Sequence, residues 1–296
     1  IRLSSFVCPH SSVPVFPHSS VPSSDFMIMK TVHLSLLLFH SALHADVSVS
    51  QQPEQRRGKE TGRTLVKLDS GTRIYELRFN GKQIGLGPYD ANWYGNGFLH
   101  IGIDGKKSSE SDGVLSVVKR GPKAGLVNVT WQLPGGPVTA LFELRDREDK
   151  LLITLKLPDA KSRSIQLQCY PSSFAGGYRP GKDIRKRHTV TATREVVLGN
   201  RNNEDIMLTK EEPWALFADD HFDFALKRGI GPCAALYYPH ETKTAKARTS
   251  NYASYLILQP LEDVKEVHLV LWDFEGIGNA KAIKYMKALE LERAGK

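Results

Sequence analysis

The chain has 296 residues, a formal net charge of +8, 41% hydrophobic and 24% charged residues, and three cysteines. This composition excludes a disordered polyelectrolyte, a collagen-like repeat and a disulfide-dense miniprotein. The length suits one large domain or two small ones.

Residues 1–26 are rich in Ser, Pro and His, with Ser-Ser-Val-Pro at 11–14 and again at 19–22. Such a stretch buries too little apolar surface to offset its ordering entropy. It reads as translated upstream sequence, with Met27 or Met29 as the start. Lys30, the apolar run Leu34–Phe39, and the small residues Ser41, Ala42 and Ala45 then follow the order of a secretory signal peptide cut near Ala45. Residues 1–45 are therefore expected to be upstream translation plus leader, and the protein to be exported, periplasmic or extracellular. The apolar run is far shorter than the roughly 20 residues of a spanning helix, so no integral membrane span is expected. No Cys follows the run, so it is not a lipoprotein leader. Residues 1–45 hold Arg2 and Lys30 against Asp25, which leaves +7 on the remainder. They also hold Cys8, leaving Cys169 and Cys233, which can form one bridge or sit as two buried thiols.

Residues 46–62, with Gln51-Gln52-Pro53-Glu54-Gln55-Arg56-Arg57-Gly58-Lys59-Glu60, are polar and charged and read as a flexible linker. From Arg63 the pattern becomes strand after strand, a single domain over 63–296. Ile74, Leu77 and Phe79 mark one run. Val127, Val129 and Trp131 alternate with Asn128, Thr130 and Gln132. The same period recurs at Ala140/Phe142/Leu144, Leu151/Ile153/Leu155/Leu157, Ile165/Leu167/Cys169 and Val267/Leu269/Leu271. Period two over such lengths marks half-buried strands. Asn80-Gly81, Asp104-Gly105, Pro134–Pro137 and Asp146–Asp149 supply turns between them. About fourteen strand candidates at regular spacing predict an all-β fold, a large antiparallel β-sandwich. One α-helix is predicted at the C-terminus, with Asn279 as N-cap and Ala282, Ile283, Met286 and Leu289 on one face. Lys281, Lys284 and Lys287 point elsewhere, as on a docked helix with a solvated outer side.

Five patches can carry chemistry. Asn92-Trp93-Tyr94-Gly95-Asn96-Gly97-Phe98 is an aromatic loop rich in Asn and Gly. Trp93 and Tyr94 can offer flat faces to a sugar ring, and Asn96 can take its hydroxyls. The alternative is that Trp93 and Phe98 close the core. Residues 178–188 hold five Lys/Arg and one Asp. Arg179, Arg185 and Lys186 there can neutralise a carboxylate or sulfate on an acidic glycan. A solvated loop is the alternative, and nucleic acid is not expected as partner. In Asp219-Asp220-His221-Phe222-Asp223, only Asp219, His221 and Asp223 can share one side of a strand, as acid, base or cation ligands; a polar strand connection is the alternative. The segment has neither calcium-loop nor zinc spacing, so no metal is expected. Gly231-Pro232-Cys233 reads as a tight turn into a buried strand. Asp273 and Glu275 stand too close in sequence for the opposed carboxylates of a glycosidase. The chain has no nucleophile elbow, His-Glu-x-x-His or Walker loop, and no cofactor is expected.

The strand-rich body with its late helix, and segments such as Gly97-Phe98-Leu99-His100-Ile101-Gly102-Ile103-Asp104-Gly105, Gly231-Pro232-Cys233-Ala234 and Leu271-Trp272-Asp273-Phe274, resemble exported bacterial proteins of the galactose-mutarotase-like supersandwich type. That resemblance implies a supersandwich used by sugar epimerases, polysaccharide lyases and non-catalytic sugar-binding domains. It transfers no catalytic residue. Three functions follow as expectations. The first is an exported carbohydrate-binding protein, accessory to polysaccharide degradation, with Trp93, Tyr94 and Asn96 in contact with the glycan. The second is a lyase or glycosidase acting on an acidic glycan, with its catalytic group among Tyr178, His188, Asp219, His221 and Asp223. The third is a non-enzymatic envelope interaction protein.

Overall fold

A computed structural model of the chain describes residues 47–87, 93–171, 187–199, 201–219, 231–250, 253–274 and 276–294. Among these, nineteen strands follow in chain order. They are β1 (Ser48–Arg56), β2 (Lys59–Asp69), β3 (Ile74–Phe79), β4 (Ile84–Gly87), β5 (Leu99–Ile103), β6 (Lys106–Lys107) and β7 (Gly113–Lys119). Next come β8 (Ala124–Leu133), β9 (Gly136–Arg145), β10 (Lys150–Lys156), β11 (Arg163–Cys169), β12 (Arg187–Thr191) and β13 (Glu195–Val197). The last are β14 (Asn203–Leu208), β15 (Trp214–Asp219), β16 (Cys233–Tyr237), β17 (Thr242–Ser250), β18 (Ser254–Pro260) and β19 (Glu266–Asp273), followed by helix α1 (Asn279–Ala294). They build a ten-stranded sheet in the order β1-β2-β3-β4-β5-β11-β18-β17-β14, with β6 on β5. The second sheet has nine strands in the order β13-β12-β15-β16-β19-β10-β9-β8-β7. Every pairing in both sheets is antiparallel. The fold is the antiparallel all-β sandwich that the alternating runs predict.

The inner faces interdigitate into one core. Val127, Val129, Trp131, Ala140, Phe142, Leu144, Leu151, Ile153 and Leu155 enter it from the nine-stranded sheet. Val66, Leu68, Leu77, Ile101, Ile165, Leu167, Leu256 and Leu258 enter from the ten-stranded sheet. Each is the apolar member of a period-two pattern, and burial of that face sets the register of its strand. Asp104 and Gly105, at φ +47° and +82°, take the two left-handed positions of a two-residue hairpin between β5 and β6.

The two outer faces differ. On the nine-stranded sheet the outer face carries Asn128, Thr130, Thr139 and Thr154 over β8–β10, and over β12, β15, β16 and β19 it forms an apolar patch of Val190, Trp214, Leu216, Ala218, Ala234, Leu236, Val270, Trp272 and Phe274. Helix α1 covers the patch with Ala282 and Met286, both fully buried, and with half-buried Ile283, Tyr285 and Leu289. Lys281, Lys284 and Lys287 are exposed, as predicted. Asn279 does not act as the cap. The Gly278 carbonyl accepts the first helical amides, from Lys281 and Ala282, and Asn279 Nδ2 donates to the Asp219 carbonyl instead. No helix of the described residues is long and apolar enough to cross a membrane.

The expected linker over 46–62 is the clearest correction. Residues 48–69 form the β1–β2 hairpin at the edge of the ten-stranded sheet, in register from Ser48↔Asp69 to Arg56↔Lys59. Arg57 and Gly58, at φ +51° and +74°, make its tight turn. Most side chains of its outer half are exposed, so ladder hydrogen bonds rather than apolar alternation hold it. A shift of register at Pro53/Gln55 turns Glu54 toward the sheet, where it is 6% exposed. There its carboxylate accepts hydrogen bonds from Arg78 Nε at 2.6 Å and Thr61 Oγ1 at 2.7 Å.

Candidate functional site

The outer face of the ten-stranded sheet is polar and half-buried. Strand alternation dictates its members, because the residues between the core positions must point the other way. His100 on β5, Gln166 and Gln168 on β11, Tyr255 on β18 and Lys246 and Arg248 on β17 are all half-buried there. The ladder sets them side by side in two rows. His100 pairs with Gln166, Gln166 with Ile257, and Ile257 with Lys246. Gln168 pairs with Tyr255, Tyr255 with Arg248, and Arg248 with Asp205. In-register neighbours on one face lie about 5 Å apart, close enough to act on one ligand.

The aromatic loop forms one wall. Trp93 pairs with Cys169 by an isolated bridge, and Tyr94 N donates to the Gln168 carbonyl at 3.1 Å. Leu86 N donates back to the Tyr94 carbonyl at 3.3 Å, and Phe98 N to the Ile84 carbonyl at 2.9 Å. The loop between is thereby laid over β4. Gly85 makes this possible, because a Cβ there would sit 1.8 Å from the Gly95 carbonyl oxygen. Tyr94 is half-buried and packs edge-on against Tyr170, with ring centroids 4.7 Å apart, and Gln168 Nε2 donates to the Tyr170 hydroxyl at 2.9 Å. Asn96 Oδ1 accepts from Arg63 Nη1 at 2.5 Å, which joins the loop to the β1–β2 hairpin. Arg78, beneath Gly95, is fixed between Glu54 and Glu76, both at 2.6 Å. A separate open groove of about 510 Å³ runs along the hairpin, lined by Gln51, Gln52, Glu60, Arg63, Thr64 and Arg120.

Trp93 is corrected as a ligand contact. It is 1% exposed, its Nε1 donates to the Trp272 carbonyl at 3.0 Å, and its ring meets Phe98 edge-on. Trp93 and Tyr94 are successive residues and point to opposite sides, so only Tyr94 reaches the outer face. Of the sequence-predicted residues, the structure therefore brings Tyr94 and Asn96 together on this face.

It does not bring the catalytic candidates there. Asp219 faces the interior of the sandwich from β15, 2% exposed, and pairs with Arg187 Nε at 3.7 Å. Arg187 Nη1 also donates to the Ser250 carbonyl, so Arg187 ties the two sheets together. His188, the next residue along β12, points to the opposite, helix-covered side, where its Nδ1 meets Glu195 Oε1 at 2.6 Å. Asp219 and His188 thus lie on opposite faces of one sheet and cannot work on one substrate atom. Asp273 is also interior, 5% exposed, with its backbone N–H directed to the Tyr75 hydroxyl. Tyr178, Arg179, Arg185, Lys186, His221 and Asp223 lie outside the described residues.

Charges on the polar face are held in place. The Arg248 hydrogen bond, opposed by burial and helped by Lys246, brings the Asp205 carboxyl down to about 2. Burial, with Lys107 nearby, lowers the His100 imidazole below its ordinary value against a hydrogen bond to the Gly97 backbone, so His100 is neutral near pH 7. Among the described residues, no group of three or more His, Cys, Asp or Glu can hold a metal ion.

No family model and no curated protein matches the sequence. The fold does match solved structures. A protein of Klebsiella pneumoniae subsp. pneumoniae assigned as an aldose 1-epimerase superposes with a TM-score of 0.50 at 8% identity, over 82% of this chain and 87% of that one. The α-N-acetylgalactosaminidase NagBb of Bifidobacterium bifidum follows at 0.48 and 10% identity, over 82% and 39%. The galactosidase domain of the α-galactosidase–sucrose kinase AgaSK follows at 0.40 and 10%, over 71% and 40%. The chain thus spans about two fifths of those two hydrolase chains. The resemblance to the mutarotase-like supersandwich holds at the level of fold.

His100, Gln166, Gln168, Tyr255 and Arg248 were not singled out by sequence reasoning as site residues. They come from four strands separated by up to 155 positions (100 to 255), and no spacing links them. The available signal is the polar half of each alternating run: once a strand is assigned, its Gln, His and Tyr between apolar residues name an outer face.

Proposed function

We propose that the protein binds carbohydrate on the outer face of its ten-stranded sheet, with Tyr94, Asn96, Gln168, Tyr255 and His100 as the contact surface. The observation that carries this reading is the in-register row Gln168–Tyr255–Arg248, half-buried beside the Tyr94 ring on the outer face of the ten-stranded sheet. Amide, imidazole and guanidinium groups beside tyrosine rings match the hydroxyl-rich edges and apolar faces of a sugar. The similarity of fold to the epimerase-assigned protein supports the sugar reading by analogy only. Export after cleavage near Ala45 belongs to the same proposal and rests on Lys30, the Leu34–Phe39 run and the small residues after it. N-terminal sequencing of secreted material tests it.

Binding is preferred to turnover. The carboxylates beside Arg78 and along the rows, Glu54, Glu76 and Asp205, are engaged by Arg78 and by Arg248 with Lys246. A carboxyl held near 2 does not donate a proton at neutral pH. Affinity electrophoresis against neutral and acidic polysaccharides tests the reading. Retardation is expected for the wild type, with affinity about tenfold weaker for Tyr94→Ala and Tyr255→Ala at unchanged circular dichroism. No retardation on any glycan overturns it. A rise in ultraviolet absorbance on a uronate polymer would favour the lyase instead.

A further inference from the structure

Cys169 and Cys233 belong to different sheets, and both are fully buried on the inner face. Cys169 ends β11, with its Sγ 3.5 Å from the Ser254 carbonyl, and its backbone bridges to Trp93. Trp93 reaches across the core to the Trp272 carbonyl. Cys233 opens β16 opposite Asp273, the residue after Trp272. One indole therefore joins the backbone at one cysteine to the backbone beside the other. Burial first, and the neighbouring Cys169 thiol second, raise the Cys233 thiol above its ordinary value.

We propose that Cys169 and Cys233 are a folding-coupled disulfide site that stitches the two sheets together when the chain folds in the presence of a disulfide oxidant. With glutathione disulfide, one cysteine thiolate attacks a glutathione sulfur, forms a mixed disulfide and releases one glutathione. The second cysteine loses its proton, attacks the first cysteine's sulfur and releases the second glutathione. The two protein sulfurs are oxidised, and the two electrons leave on two reduced glutathione molecules.

Coupling to folding follows from the native environment. Burial, the neighbouring Cys169 thiol and the nearby Asp273 push the Cys233 thiol well above its ordinary value. The thiolate that exchange requires is therefore scarce once the core has closed, and neither sulfur is accessible to a disulfide reagent. The bond must form while the sheets are still apart.

The test uses the full chain carrying Cys8→Ser, made by cell-free synthesis with oxidised glutathione present or absent. Expected in its presence is a mass about two units lower, for the two hydrogens lost, and a Cys169–Cys233 cross-linked peptide that disappears on reduction. Protein made without the oxidant and then exposed to it in the native state is expected to stay reduced for hours. The additional Cys233→Ser substitution is expected to fold by circular dichroism and to leave Cys169 as a free thiol or glutathione adduct. Free thiols or mixed disulfides at both positions after oxidative synthesis overturn the site. Rapid bridging of the native reduced protein overturns its coupling to folding.

Discussion

Gly85→Ala tests the architecture of the site most directly, because its expected sign is opposite to the usual one. Replacing a strand glycine by alanine ordinarily stabilises by about 0.5–1 kcal/mol. Here the new Cβ would lie 1.8 Å from the Gly95 carbonyl oxygen, 2.3 Å from its carbon and 3.0 Å from Asn96 N. All three are backbone atoms, so no rotamer change relieves the overlap. The loop has to withdraw by more than about 1 Å to restore contact distance. It is pinned by the amides of Leu86, Tyr94 and Phe98. Losing two of those bonds costs about 1 kcal/mol each, and overpacking adds about 1–3 kcal/mol. After subtracting the ordinary gain, the expected net loss is about 3 kcal/mol, read as a lower urea midpoint at unchanged slope. Glycan retardation is expected to fall in parallel, since Tyr94 and Asn96 ride on the displaced loop. The control is Gly121→Ala, where the nearest atom, Lys119 Cε, is 3.8 Å away, and stability is expected to change by less than about 0.5 kcal/mol. A Gly85→Ala protein as stable as the wild type would refute the reasoning that Gly85 admits the loop.

Glu212 provides a pH test. Burial raises its pKa, but hydrogen bonds from Thr191, Thr193, Arg194 and the Thr209 amide outweigh this and hold it at about 2. A folded pKa below the unfolded one contributes stability that is present above about pH 4.5 and is lost as pH falls through about 2. Glu212→Gln is therefore expected to cost on the order of 3 kcal/mol at pH 7 and to flatten the acid limb of a stability–pH profile; equal slopes below pH 4.5 would count against it. The hairpin predicts slow hydrogen exchange at β1–β2 ladder amides, whereas a fraying linker exchanges within seconds. Glu54→Ala is expected to cost about 3 kcal/mol, because Arg78 loses the deeper of its two carboxylate partners; a loss below about 1 kcal/mol would make the pair incidental.

How much of this was legible in the sequence depends on which force holds each element. The inner strands announce themselves because burial of one face imposes period two, and Val127–Trp131 and Ile165–Cys169 enter the core as read. Helix α1 is legible for the same reason, through Ala282 and Met286. The β1–β2 hairpin is not, because its outer half has no buried face; its turn at Arg57-Gly58 sits inside a polar run, and Glu54 gave no sign of its distant partner. Trp93 and Tyr94 illustrate a finer limit. A loop dipeptide shows two aromatic residues but not which one the sheet turns inward. The polar face stayed invisible as a site because its rows exist only through cross-strand register.

The contrast between the Asp219 segment and the polar sheet face bears on function. Asp219 and Arg187 are both nearly inaccessible and stand across the β12–β15 ladder. A charge pair taken that far from water has already lost its hydration, and removing either partner would strand the other. Such a pair holds the Arg187 side chain in place within one sheet, from where it reaches the Ser250 carbonyl of the other. A ligand can gain little from it without first breaking the sandwich. Gln168, Tyr255 and His100 keep partial access to water and stand on rigid strands with their apolar neighbours locked in the core. Their water can be exchanged for sugar hydroxyls at small cost, and little ordering of the scaffold is needed. The paired carboxylate most suggestive in the sequence is thus the one the fold uses for itself, and the neutral polar residues between apolar ones are those it leaves for a partner.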